Sequence, residues 1–385
     1  MSKRIGKGLE IDGETLVTES AWNAELEAKH GLLLEWMGGQ GLAGILIRRN
    51  ENIAWITGGA VEVRVLTPSE TGVASILVTA AGGRYYLTTE NEAPRLQAEE
   101  FGLLDFDPVL FPWWRSDTVT LAQKLAGGAL GTDTPIDGLT SVNLYPLRAA
   151  LCESEIARYR WLGKQTAAVT GEALNEVEPG MSEFDLEAIT CEKLLRRGIL
   201  PSVALYAVDD RILSYKHAIS RGQRLKQYGM LNFCTRKWGL AVSLTRFVHF
   251  GALPGDLAAR FAAGAEVNAA LLNATKAGVT SAELFDVAQK AYADHDFAGE
   301  ERFHHQGGAT GYGEREWVAT PDGSEKVLDR QAFAWNPSIR GGKVEDTVIL
   351  RDGLIENLTA TPELPVLAHA PVAGSAYAAA GVLIK

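Results

Sequence analysis

The hydrophobic pattern is clearest between Gly229 and Arg246. Met230, Leu231 and Phe233 lead into a polar turn at Arg236-Lys237-Trp238-Gly239, and the chain returns as Leu240 to Leu244. That alternation predicts a β-hairpin with one face on a core. Upstream, Trp22, Leu26, Leu32, Leu33 and Trp36 fall on a helical spacing between Glu19 and Gln40, with a stop at Gly38-Gly39. Strand-like runs follow at Gly44 (GILIRR), from Asn50 to Gly59 (NENIAWITGG), at Ser75 (SILVTA) and at Arg84 (RYYLTT), and helical patterns return over 90–100 and 119–125. Such alternation predicts a small α/β domain whose sheet is covered by helices.

Proline in Tyr145-Pro146-Leu147-Arg148 can continue neither a helix nor a central strand, which sets a boundary between a domain of residues 1–150 and one of residues 151–385. A long helix is predicted from about Ser154. It ends before the turn Glu178-Pro179-Gly180-Met181-Ser182-Glu183, where Gly180 permits the bend, Ser182 caps, and Glu183 and Asp185 suit the positive start of a second helix reaching Arg197. Helical periodicity resumes from Leu257 to Tyr292, broken at Gly278. No repeat is visible in the residues themselves.

The totals narrow the classes. At 385 residues two domains are favoured, and 46% apolar with 22% charged residues describes an ordinary globular protein. A net charge of -11 without a basic run argues against nucleic acid and anionic membranes as partners. Cys152, Cys191 and Cys234 are odd in number and lack metal-type spacing, which fits a reducing compartment, and MSKRIGKGLEIDGE has no apolar run after its charges. The cytoplasm is the expected location.

Candidate chemistry sits in four places: the hairpin with Asn232, Cys234, Ser243 and Thr245; His217 in ILSYKHAIS; His304 and His305 opening FHHQGGATGYGEREW; and Asn336 and Glu345 in AWNPSI and KVEDT. The order of these motifs, with the EPGMSE turn and the Thr245-Arg246 pair, resembles the pita-bread family of creatinase, prolidase, aminopeptidase P and methionine aminopeptidase. The resemblance implies a two-domain α/β architecture: a small creatinase-type N-terminal domain and a pita-bread α+β domain with an internal two-fold. It also implies that Asn232, Ser243, Gly308, Asn336 and Glu345 stand where relatives carry metal ligands. Only Glu345 is an anion, and amides and hydroxyls supply dipoles rather than charge. Neither a metal nor any other cofactor is therefore expected.

By the same resemblance His217 is the proton-transfer residue, and Arg315, in Gly313-Glu314-Arg315-Glu316, grips a substrate carboxylate, a role suited to a planar guanidinium. Arg64 is implied to reach the partner's substrate in a homodimer. Asn232, Ser243, Thr245, His304, His305, Asn336 and Glu345 complete the expected substrate-binding set. Two adjacent histidines in a strand point to opposite faces, so one of His304 and His305 should face the pocket. Thr245 and Asn336 replace glutamates that hold creatine in creatinase, which makes creatine a poor candidate. Cys234 is an alternative nucleophile, Glu345 is alternatively a buried partner of Arg246 or Arg315, and His249 reads as structural. The reading is a metal-independent hydrolase of a C–N bond in a small polar or anionic substrate. The alternatives are an Xaa-Pro metallopeptidase acting on short peptides and a non-catalytic binding protein.

Overall fold

The computed structural model describes residues 3–5, 8–11, 13–372 and 377–385, so Met1, Ser2, Gly6, Lys7 and Asp12 of the charged N-terminal stretch lie outside the described residues. The chain divides into two compact units: Met1–Arg158 with Trp238–Leu240, and Tyr159–Lys237 with Ala241–Lys385. Among the described residues no helix is long and apolar enough to cross a membrane.

The first unit is built on a six-stranded sheet in the order Asp107–Phe111, Arg84–Thr89, Thr71–Thr79, Gly44–Arg49, Leu130–Thr132, Thr140–Ser141. Its middle strand Thr71–Thr79 runs antiparallel to both neighbours, and the outer strands add in parallel. Helix Glu19–Gln40 starts where Thr18 Oγ1 accepts from the Ala21 N–H and stops at left-handed Gly41. The strand expected across Asn50 to Gly59 is instead a helix, Asn50–Ile56, ended by Gly58 and Gly59 at positive φ. Ile53, Ala54, Trp55 and Ile56 are all buried, and a short continuous apolar run carries no period that separates strand from helix. Asn52 fixes the helix by donating to Asp133 at 2.9 Å and accepting from Arg148 at 2.8 Å. The helical pattern over 90–100 resolves into a turn Ala93–Arg95 continued by π-helical Leu96–Phe101. Pro146 lies in the first turn of a short helix, Tyr145–Arg148, where its missing N–H has no partner to lose.

A repeated design organises the second unit. Helices Glu153–Glu176 and Gly255–Ala274 are each followed by a turn and a shorter helix, Glu183–Arg196 or Ser281–Asp294. Ser182 with Asp185 and Thr280 with Glu283 form reciprocal capping boxes. Gly180 and Gly278 take φ of 93° and 92°, and their N–H groups donate to Leu225 O and Val327 O at 2.8 and 2.9 Å. The internal two-fold is thus present in backbone bonding.

Two four-stranded sheets follow. One has the order Leu200–Val208, Tyr228–Lys237, Leu240–His249, Val382–Ile384, and the other Gly307–Thr310, Gln331–Trp335, Asp346–Arg351, Leu354–Asn357. They meet where Thr245 and Glu345 form a single antiparallel bridge and where Thr347 Oγ1 accepts from the Ser243 N–H and donates to the Ser243 carbonyl, both at 2.9 Å. The hairpin turns at Trp238 and Gly239, both at positive φ, which matches the twist of its strands. It is buried on both faces rather than one. The reason is that the first long helix covers the face carrying Thr235, through Thr166 Oγ1 at 2.9 Å, and polar side chains fill the other.

Candidate active site

Strand alternation places Asn232 and Cys234 on one face of their strand, and Ser243 and Thr245 likewise on theirs. All four are buried, and Cys234 Sγ lies 3.0 Å from Ser243 Oγ. Glu345 brings a carboxylate to this wall. Its Oε2 accepts from Thr245 Oγ1 at 2.5 Å and from Lys343 Nζ at 2.8 Å, and its Oε1 accepts from Arg315 Nη2 at 3.0 Å. Burial alone would raise this carboxyl, but Lys343 and Arg315, with the hydrogen bonds from Lys343 and Thr245, hold it well below the usual carboxylate range.

Two arginines flank Glu345 differently. Arg246 donates to Thr361, Asp346, and the carbonyls of Thr245, Glu345 and Thr359, at 2.5 to 3.0 Å. It touches the backbone of Glu345 and not its carboxylate. Arg315 is carried on a loop pinned by Glu316 Oε1, which accepts from the N–H groups of Tyr312 and Gly313, and by the Glu314–Arg236 pair at 2.7 Å. Besides Glu345 it donates to Ser243 Oγ at 3.1 Å, while its Nε is buried with no acceptor. Asn232 Nδ2 and Asn336 Oδ1 are also buried without a partner.

His304 and His305 do not lie in a strand, because the strand begins only at Gly307. Their rings stack at 4.4 Å rather than pointing apart, and both face His217, with ring centroids 4.8 and 6.2 Å from it. The hydrogen bonds assign the protons. His304 Nδ1 faces the His305 carbonyl at 2.5 Å, and a carbonyl only accepts, so Nδ1 carries the hydrogen. His304 Nε2 then offers its lone pair to His217 Nε2 at 2.9 Å, which leaves the lone pair of His217 on Nδ1. His305 Nδ1 accepts from the Gly307 N–H at 3.2 Å. Burial, then the Lys343 cation, pushes His304 down to about 2, and burial, then Arg315, pushes His305 down to about 4. His217 is lowered for the same reasons, burial first and Lys343 next, with Glu345 opposing. The residue is nevertheless exposed.

Lys343, which sequence reasoning quoted without giving it a role, is the residue that ties these groups together. It is buried beside Glu345 in the short strand Gly342–Lys343. The signal was its position two residues before Glu345, which in an extended chain puts both on one face. Arg64 lies in the first unit, where Nε and Nη2 donate to Glu62 at 2.9 and 2.5 Å. His249 is buried with Nδ1 at 3.0 Å from Gly251 O. Burial pushes the Cys234 thiol up to about 11, with Arg315 opposing.

The donor set does not suit a pair of dications. Glu345 already holds three donors, Ser243 Oγ accepts from a guanidinium, and a Cβ at Gly308 would sit 2.1 Å from Trp317 O, so no ligand side chain fits there. Among the described residues two further groups bring ligand atoms within 4.8 Å: His217 with His304 and His305, and Glu25 with Cys152 and Glu155. The first lies in the field of Lys343 and Arg315, which opposes any cation. In the second the carboxylates are paired with Lys29 and Arg158, and burial pushes the Cys152 thiol up to about 12.

Residues 30–158 match the family model of the creatinase/prolidase N-terminal domain, and residues 157–352 match that of metallopeptidase family M24. No curated protein matches the sequence. Among solved structures the chain is similar to dipeptidase PepE from Mycobacterium ulcerans, at 16% identity over 90% of this chain and 99% of that one, with a TM-score of 0.73. It is also similar to the prolidase from Pyrococcus horikoshii OT3, at 17% identity over 87% and 98%, TM-score 0.73. The N-terminal domain of FACT complex subunit SPT16 from Eremothecium gossypii aligns at 12% identity over 88% and 97%, TM-score 0.63. These likenesses establish the two-domain fold, a creatinase-type α/β domain followed by a pita-bread domain.

Proposed function

This chain belongs to metallopeptidase family M24, and because its own residues do not suit the metal pair that the resemblance implies, we propose that it hydrolyses a C–N bond of a small polar or anionic substrate without one. The observation that carries the reading is the proton arrangement at His217. Its Nε2 is tied to His304 at 2.9 Å, its Nδ1 keeps a lone pair, and the residue is exposed. A neutral imidazole so held is a general base at neutral pH.

On this reading His217 Nδ1 takes a proton from water as the oxygen adds to the carbonyl carbon. The imidazolium then returns that proton to the departing nitrogen as the C–N bond breaks. His304 positions His217 and fixes its tautomer, and Asn232, Ser243 and Asn336 hydrogen-bond the bound molecule. Arg315 receives an anionic group. The role implied for Arg64 requires a homodimer, and a monomer in sedimentation velocity removes it.

The test is turnover of a panel of dipeptides and N-acylamino acids. Hydrolysis should survive exhaustive chelation, gain nothing from manganese or cobalt, and fall by roughly a hundredfold or more in His217→Ala. Activity abolished by chelation would overturn the proposal. Family membership, and neighbours named as a dipeptidase and a prolidase, favour a second reading, a metal-dependent Xaa-Pro peptidase. Metal-stimulated cleavage of proline dipeptides decides for it. The likeness to a complex subunit keeps a binding protein in view, and an ordered ligand without turnover would identify one.

A further inference from the structure

The charge of the Glu345 cluster does not close. One carboxylate faces two cations, Lys343 at 2.8 Å and Arg315 at 3.0 Å. Neighbouring acids do not make up the difference, since Glu314 is held by Arg236, Glu300 by Lys216 and Asp346 by Arg246, and Glu316 is turned to the N–H groups of Tyr312 and Gly313. A buried site with one uncompensated positive charge calls for an anion. The unpartnered polar atoms specify more. Arg315 Nε and Asn232 Nδ2 are buried donors lacking acceptors, whereas Asn336 Oδ1 is a buried acceptor lacking a donor.

We propose that Lys343 and Arg315 form a fixed cation pair that receives one carboxylate of the substrate, and that the substrate is an N-acylated amino acid or similar small amide with a free carboxylate. This rests on the hydrolase reading for its chemistry and adds to it a residue, Lys343, and a substrate class. The geometry of the pair is preset, because Glu345, itself fixed by Thr245, holds Lys343 and the Glu316-pinned loop holds Arg315, so little side-chain freedom is lost on binding. The amide N–H of such a molecule supplies the donor that Asn336 lacks, and its carbonyl oxygen supplies the acceptor that Asn232 lacks.

Calorimetric titration of the full-length protein with N-acetylglycine and with its neutral analogue N-acetylglycinamide tests this. The acid should bind at least about tenfold more tightly than the amide, and Lys343→Met should lose roughly ten- to a hundredfold in affinity for the acid, whereas Lys343→Arg should keep most of it. Equal binding of both compounds, no binding of either, or a folded Lys343→Met protein with unchanged affinity would overturn the proposal. Should Lys343→Met fail to fold, Arg315→Met serves in its place. Removing the surplus cation leaves Glu345 with Lys343, so N-acetylglycine should bind at least about tenfold more weakly, and unchanged or tighter binding counts against the pair. Binding of the acid without its hydrolysis would leave the receptor standing and count against the hydrolase alone.

Discussion

Two buried ionic clusters, one in each unit, are built from the same residue types and do different work. In the first unit Glu25 accepts from Lys29 at 2.6 Å and from Arg158 at 2.6 and 2.9 Å, and Glu155 accepts from Lys29 at 2.7 Å, so two carboxylates face two cations. In the second unit Glu345 alone faces Lys343 and Arg315. The first cluster is closed: lysine, arginine and both glutamates are buried. The second sets one carboxylate against two cations and acts electrostatically on the exposed His217. Balance marks a strut, and imbalance marks a receptor.

The largest effect that separates them is on stability. Arg158→Met should destabilise the protein by about 3–5 kcal/mol, because it takes away the guanidinium that meets both oxygens of buried Glu25. Arg315→Met removes the surplus cation and leaves Glu345 paired with Lys343 and Thr245, so the loss in urea unfolding should stay below about 1 kcal/mol. Equal losses from the two substitutions would erase the distinction.

Some of this was legible in the sequence and some was not, for physical reasons. Ser182 read as a cap and proved to be one because capping is decided within four residues. The matching Gly278-Val279-Thr280 turn obeys the same local rule, and comparing it with Gly180-Met181-Ser182 would have exposed the two-fold. Asn50–Ile56 failed because four consecutive buried apolar residues carry no period. His304 and His305 were assigned opposite faces by a strand rule that applies only from Gly307 onward. Nothing local marks Lys343 as buried, since a lysine in a short polar stretch is usually solvated. Its burial is set by Thr245 and Glu345 meeting across about a hundred residues of chain, and no local pattern reports that.

A second, smaller effect sharpens the comparison along the pH axis. Burial and the Lys343 cation push His304 down to about 2 from an ordinary 6.5, so above 6.5 it is neutral in both states and contributes nothing. Below 6.5 the unfolded chain binds a proton that the native site refuses, and stability falls as pH drops, by at most about 1.4 kcal/mol per pH unit. Glu25 is lowered to about 2 from 4.5, so stability from the closed cluster is complete above 4.5 and is lost only as pH falls below that. The site should therefore loosen first on acidification. His30 and His305, both pushed down to about 4 chiefly by burial, and His217, lowered likewise, add shares in the same window, so His304→Gln should flatten the slope between pH 6.5 and 4.5 only in part. Urea midpoints measured across that window check it, and an unaltered slope would place His304 outside the linkage.

The smallest effect concerns Cys234, on the same wall as the cation pair. Arg315 faces the thiol and favours its thiolate, but burial outweighs that attraction and pushes the group up to about 11. Ser243 Oγ, 3.0 Å away, offers a hydrogen bond and no base. A thiol in this state is neither a nucleophile nor a ready target for alkylation at pH 8. Iodoacetamide should leave the Cys234 peptide unmodified in the native protein, and Cys234→Ala should turn over substrate within about threefold of the parent. Loss of all turnover in Cys234→Ala would transfer the chemistry from His217 to a covalent thiol mechanism, and Lys343 and Arg315 would then serve to lower a thiol rather than to receive a carboxylate.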